Sequence, residues 1–213
     1  MTLLQVKNIT KIYHYDDYPI LRDISFCVDS GQVVTLLLGY QGGKTTLAKI
    51  LTGVEKPSLG EIDLCGKPLD AVAPQNRNFA FISVPSLFGK GKVKDNLLYG
   101  LKVRGVDKKT ANEILQKQLQ EYDLLPFVDF PVKKLDLFQR LRLDFARAFS
   151  RKVSLLILDD CLGKDEQADA FLLKEISAKA QQGCAVLVLS DLPQNAVGKV
   201  FDFLPTYLEE QPK

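Results

Sequence analysis

The chain has 213 residues, 46% hydrophobic and 25% charged, ordinary proportions for a globular domain with a sizeable core, which excludes a disordered chain. Lys plus Arg number 28 against 26 Asp plus Glu, a formal net charge of +2, so bulk charge points to no nucleic-acid partner. The apolar runs fall far short of the ~20 residues of a membrane span, and Met1–Lys7 lacks the charged-then-apolar layout of a signal peptide, so a cytoplasmic location is expected.

Residues 1–35 read as strands. Leu4–Thr10 alternates roughly in polarity, and Ile20–Val28 carries Ile24, Phe26 and Val28 at period two. Gln32–Leu38 is a β-branched and leucine run, the pattern of a strand covered on both faces. A turn with Gly39, Gly42 and Gly43 follows, then a helix over Lys44–Thr52 with Leu47, Ile50 and Leu51 on one face. Glu61–Leu64 and Phe79–Ile82 read as short strands. Val93–Val103, Lys109–Tyr122 and Leu137–Arg151 have helical periodicity, with Gly105 and Pro126 as breakers. Strands return at Val153–Leu158, which ends in Asp159-Asp160, and at Ala185–Leu189, with a helix over Gln167–Gln181 between them and a last pairing expected over Phe201–Leu208. This alternation predicts an α/β fold: a parallel sheet with a helical lobe inserted in the middle. Cys27, Cys65, Cys161 and Cys184 are scattered with no C-x-x-C pair, and His14 is the one histidine. Reduced, buried thiols and no zinc site are expected.

The segment Leu38-Gly39-Tyr40-Gln41-Gly42-Gly43-Lys44-Thr45-Thr46 lies between a strand and a helix. In that context backbone N–H groups and the helix N-terminus bind phosphate oxygens, the lysine neutralises them, and the Thr45 hydroxyl ligates Mg²⁺. The strict pattern G-x-x-x-x-G-K-[ST] places glycine at 38, where leucine stands, with Gly39 next door. The second feature is Leu155-Leu156-Ile157-Leu158-Asp159-Asp160, an apolar strand ending in carboxylates. Asp159 there can hold the Mg²⁺ shell through water.

With these two motifs the sequence resembles the ATP-binding cassette (ABC) transporter ATPases over almost its whole length. Gly31-Gln32-Val33-Val34-Thr35-Leu36-Leu37 leads into the loop as in that family, and Pro57-Ser58-Leu59-Gly60-Glu61-Ile62 resembles its P-x-x-G-x-I step. Asn96–Leu101 looks like the start of its helical subdomain, and Gln139-Arg140 with Ala146-Arg147-Ala148 matches the helix after its signature. The resemblance implies a P-loop NTPase-type parallel sheet core, an N-terminal antiparallel β-subdomain and an inserted helical subdomain at about 90–137, all within one nucleotide-binding domain spanning residues 1–213. It implies Mg²⁺ and ATP as ligands, a homo- or heterodimer with another ABC ATPase, and separate transmembrane subunits at the inner face of a membrane. Tyr13 falls where the family stacks an aromatic on adenine; a strand aromatic packed on the core is the alternative. Tyr13, Gly39, Tyr40, Gln41, Gly42, Gly43, Lys44, Thr45 and Thr46 are the expected nucleotide-binding set, with Thr45 and Asp159 at the metal.

The departures from the family fall on its chemistry. Its glutamine after the strand at Phe79–Ser83 is replaced by Val84, or by Ser83 when counted back from Asn96; an apolar Val84 neither ligates nor orients water. The signature, usually L-S-G-G-Q, reads Leu135-Asp136-Leu137-Phe138-Gln139. A carboxylate at the serine position repels phosphate, while Asp136 with Gln139 also makes a helix capping box. The catalytic glutamate is Asp160, one methylene shorter, and a misplacement of about 1 Å can cost about 100-fold in rate. Ser190 stands at the switch histidine. Two functions follow: an ATP-binding subunit that hydrolyses weakly or not at all, or a non-catalytic cassette-fold interaction protein that binds no nucleotide productively, because residues at Leu38 and Gln41 bring Cβ atoms into the loop.

Overall fold

The computed structural model describes residues 1–13, 18–84 and 90–203. The alternation of the first segments produces β1 (Thr2–Lys11) and β2 (Leu21–Asp29), an antiparallel pair that buries Leu4, Val6 and Ile9 against Leu21, Ile24, Phe26 and Val28. There follow β3 (Val33–Leu37), α1 (Lys44–Thr52), β4 (Leu59–Leu64), β5 (Lys67–Pro68) and β6 (Phe79–Ser83). Next come α2 (Val93–Val103), α3 (Lys108–Glu121) and α4 (Leu137–Ala148), then β7 (Leu155–Asp159), α5 (Glu166–Gln181), β8 (Ala185–Ser190) and β9 (Lys199–Asp202).

The chain divides into two compact units, the first made of residues 1–81, 154–160 and 173 onward, the second of 82–153 and 161–172. In the first, an antiparallel sheet runs in the order β2-β1-β4-β5, and a second sheet in the order β6-β7-β8-β3-β9. β8 pairs parallel with both β7 and β3, and β3 pairs parallel with β9. Every residue of β7 and β8 is buried, the reason their sequences are continuous apolar runs instead of alternating ones. Leu36, Leu47, Leu51, Leu155, Ile157 and Leu187 join the buried residues of β1 and β2 in one core. Parallel pairing aligns the carboxyl ends of β3, β7 and β8, with Leu37 beside Ser190 and Asp159 beside Leu189. Ligands of open α/β sheets bind at such an edge.

The second unit is helical. α2 buries Val93, Leu97 and Leu101 at a spacing of four. α3 starts on Asp107, whose carboxylate accepts from the amides of Lys109 and Thr110, both at 3.0 Å. Phe145 of α4 is fully buried and packs on Tyr122, Phe149 and Phe171, with ring centroids 5.3–6.4 Å apart.

Several expectations shift. α4 ends at Ala148 instead of Arg151, where the Ser150 hydroxyl takes the Arg147 carbonyl at 2.7 Å. β7 begins at Leu155 instead of Val153, and the last strand begins at Lys199. His14 and Leu204–Leu208 lie outside the described residues. β5 was not expected; it forms through a two-residue hairpin in which Cys65 and Gly66 both take positive φ, 50° and 76°. All four cysteines are free thiols, but only Cys161 and Cys184 are buried. Cys65 is exposed in that turn, and Cys27 lies half-buried between Phe26 and Val28, on the other face of β2. Burial pushes the Cys184 thiol up to about 11, leaving it inert at neutral pH. Among the described residues, no helix is long and apolar enough to cross a membrane, and no group of three metal-ligating side chains occurs.

Candidate functional site

The turn between β3 and α1 is built by glycine where backbone demands it. A Cβ on Gly42 would sit 1.5 Å from the Leu38 carbonyl oxygen, and Gly43, the N-cap of α1, has φ 84°. Leu38, which breaks the strict loop pattern, is only 2% exposed and belongs to the core. Its side chain leaves the loop, and the turn proper opens at Gly39, φ 71°. Gln41 takes φ 58°, a left-handed conformation costing a non-glycine residue about 1–2 kcal/mol. Its side chain is exposed, as is Tyr40 at 84%.

No side chain caps the first turn of α1. Its leading N–H groups and dipole therefore remain for an anion. Beside that turn, the Thr45 hydroxyl donates to Asp159 Oδ2 at 3.2 Å. Burial pushes the Asp159 carboxyl above its ordinary value, while Thr45 and Lys44 act in the opposite direction. Thr45 and Asp159 are hard oxygen donors of the kind Mg²⁺ takes, and a divalent cation there would offset the cost of the buried charge.

Lys44 donates from Nζ to Asp191 Oδ1. Asp191 was not among the expected site residues. Ser190, placed at the switch-histidine position, engages its hydroxyl in its own turn: it donates to the Leu192 carbonyl at 3.2 Å and accepts from the Leu192 amide at 3.1 Å. The side chain that reaches the loop lysine is the next one along, and nothing local in the sequence marks it. Asp160, the candidate catalytic acid, is half-buried at φ 55° and donates its amide to the Leu189 carbonyl at 3.1 Å.

Tyr13 is half-buried at the same helix start. Its hydroxyl lies 3.3 Å from Thr46 Oγ1 and donates to Glu55 Oε2 at 2.6 Å, and Lys11 Nζ stands 5.1 Å from its ring centroid. Glu55, with Lys49 at 3.1 Å, is a second residue that the sequence did not single out; nothing local marks it.

The first unit thus gathers Tyr13, Gly39–Thr46, Asp159, Asp160 and Ser190. The second gathers the rest. Val84 follows β6 and lines a cavity of about 190 Å³ with Ser83, Leu135, Leu137, Arg140, Leu141 and Asp144. Asp136 is exposed and caps α4: its carboxylate accepts the Gln139 amide at 2.7 Å, and the Gln139 side chain accepts the Asp136 amide at 3.2 Å. Phe138 packs edge-on against Phe171, centroids 5.6 Å apart, with the Arg142 guanidinium 4.2 Å over its ring. Arg140 holds the segment before α4 through the carbonyls of Leu135 and Lys133, each at 3.0 Å.

Comparison with known proteins bears on the family and the fold. The ABC transporter family model matches residues 21–163. The spermidine/putrescine import ATP-binding protein PotA of Chromobacterium violaceum is 34% identical over 164 residues, 76% of this chain and 45% of that protein. The PotA of Mesoplasma florum is 32% identical over 202 residues, 92% of this chain and 56% of that protein. The chain spans about half the length of these curated relatives. A solved ATP binding subunit of an ABC transporter superposes with a TM-score of 0.73 at 25% identity, covering 89% of this chain and 80% of that one. The family match over most of the chain, the relatives above 30% identity and the shared fold lead to one conclusion: the chain belongs to the ABC transporter family, as an ATP-binding cassette domain.

Proposed function

We propose that this cassette binds Mg-ATP at the loop 39–46 as the nucleotide-binding subunit of a transporter-like complex, and hydrolyses it weakly or not at all. The observation that carries the reading is the uncapped start of α1, with Lys44 in its first turn and the Thr45 hydroxyl 3.2 Å from Asp159. In this role the α1 amides and Lys44 hold phosphate oxygens, Thr45 and Asp159 hold the cation, and Tyr13 beside Thr46 offers a ring to the base. Bound Mg²⁺ supplies neutralisation of phosphate charge. Weak turnover is supported by what stands at the water-handling positions: apolar Val84, Ser190 turned into its own loop, and the short side chain of Asp160. Asp136 at the start of α4 adds a negative charge where a family signature offers a serine hydroxyl. A homo- or heterodimer with another ABC ATPase, separate transmembrane subunits and a place at the cytoplasmic membrane face belong to the same proposal, by extension from the relatives.

A second reading has its own support. With Lys44 already paired to Asp191, the loop is partly self-neutralised, which favours a cassette-fold interaction protein that takes no nucleotide. Melting of the chain with Mg-ATP up to about 5 mM separates the two. Binding to the folded state alone stabilises it by about 2.7 kcal/mol at 100 times Kd. A dose-dependent rise in Tm that Lys44→Ala abolishes is the expected outcome. No rise in the wild type would establish the second reading.

A further inference from the structure

Asp160, Asp191 and Lys44 all lie near enough to Asp159, at the carboxyl ends of β7 and β8, to act on its charge. Asp159 and Asp160 end and follow β7, Asp191 follows β8, and Lys44 opens α1. The lysine is bonded to Asp191, and neither side chain is free in solvent: 13% of Lys44 and 20% of Asp191 are exposed. A pair this sheltered is screened far less than a surface ion pair.

We propose that Asp191 is a specificity-determining residue of the phosphate loop, an internal anion on Lys44 that makes the site prefer a nucleoside diphosphate to the triphosphate. The inference rests on the nucleotide-binding reading above and goes beyond it. The inner phosphates have a partner that Asp191 leaves untouched, the uncapped amides at the start of α1. A terminal γ-phosphate has no such reserve. The loop lysine reaches the β- and γ-phosphates, but the β-phosphate has the amides as well, whereas the γ-phosphate must take the ammonium from Asp191 and then lies in the field of the displaced carboxylate with Asp159 and Asp160 nearby. Like charges at a few ångströms, in a partly buried setting, repel strongly. Mg²⁺ offsets part of this for both ligands and leaves the difference between them. The turn that carries Asp191 is held by the Ser190 hydroxyl and the Leu192 amide, not by the Asp191 carboxylate, so Asp191→Asn removes the charge and keeps the shape.

Calorimetric titration of the full chain with Mg-ADP and with a non-hydrolysable Mg-ATP analogue tests this. The wild type is expected to bind the diphosphate about tenfold more tightly, one decade or about 1.4 kcal/mol. Asp191→Asn is expected to bring the ratio of the two Kd values close to one by strengthening triphosphate binding, and Asp191→Glu to keep the wild-type preference. A merely structural role would move both affinities together and leave the ratio alone, which would overturn the inference. A wild type that binds both ligands equally, or the triphosphate better, overturns it without any variant. If wild type and Asp191→Asn both melt cooperatively yet bind neither nucleotide, the nucleotide-binding reading itself falls and takes this one with it.

Discussion

Glu55 shows how a residue of no local distinction becomes a hub. Its carboxylate accepts the Tyr13 hydroxyl at 2.6 Å and pairs with Lys49 at 3.1 Å and Lys11 at 3.8 Å. The Tyr13 hydrogen bond chiefly, helped by the two lysines and opposed by burial, holds the carboxyl below the usual glutamate value of 4.5. A carboxyl with a lowered folded-state value stabilises the fold above its unfolded value, and that contribution is lost as pH falls through the folded value. Removing the largest cause with Tyr13→Phe is therefore expected to raise the Glu55 midpoint toward 4.5, read by NMR of the side-chain carboxyl carbon. The variant's stability deficit is expected at neutral pH and should shrink as the pH falls below 4.5. An unmoved midpoint would show that the lysines alone set it. Position 38 makes the complementary point. A leucine where the loop pattern has glycine reads as an obstruction in the sequence, and folding removes it by turning the side chain into the core.

At the scale of elements, periodic stretches were legible and irregular joints were not. α1 and α2 occupy the spans their apolar spacing predicts, and the capping box Asp136-x-x-Gln139 forms as its spacing implies. That box gives a measurable role to a residue that also departs from the family signature. Asp136→Ala should lower stability by about 1 kcal/mol, the usual cost of a lost N-cap, in chemical denaturation. Asp136→Ser, which restores both a capping hydroxyl and the family residue, should recover most of it. Equal losses in the two variants would mean that the carboxylate matters for something other than the cap. The β4–β5 hairpin escaped the sequence because neither Asn-Gly nor Asp-Gly marks it. Cys65 takes a conformation that cysteine seldom adopts, and two-residue β5 carries no periodicity to detect.

For the molecule as a whole, burial ranks the strands. β7 and β8 have no exposed residue, whereas β9 lies at the sheet edge and its residues are mostly exposed. Amide hydrogen exchange should follow that order, with β7 and β8 protected to the level of global unfolding and β9 released by local opening. Protection of β9 equal to that of β8 would contradict it. The α/β class and the family could be read from the chain alone, since these rest on periodicity, glycine placement and short motifs that are contiguous in sequence. The sequence did not determine which charge the loop lysine meets. Lys44 and Asp191 are 147 positions apart and come together only because β3 and β8 pair parallel with their carboxyl ends aligned. Tertiary structure likewise decided where the Leu38 side chain goes and what surrounds Glu55. Local patterns specify backbone conformation and the face that must be buried, while the order of strands in a sheet decides which distant side chains share a dielectric environment, and with it the electrostatics of the site.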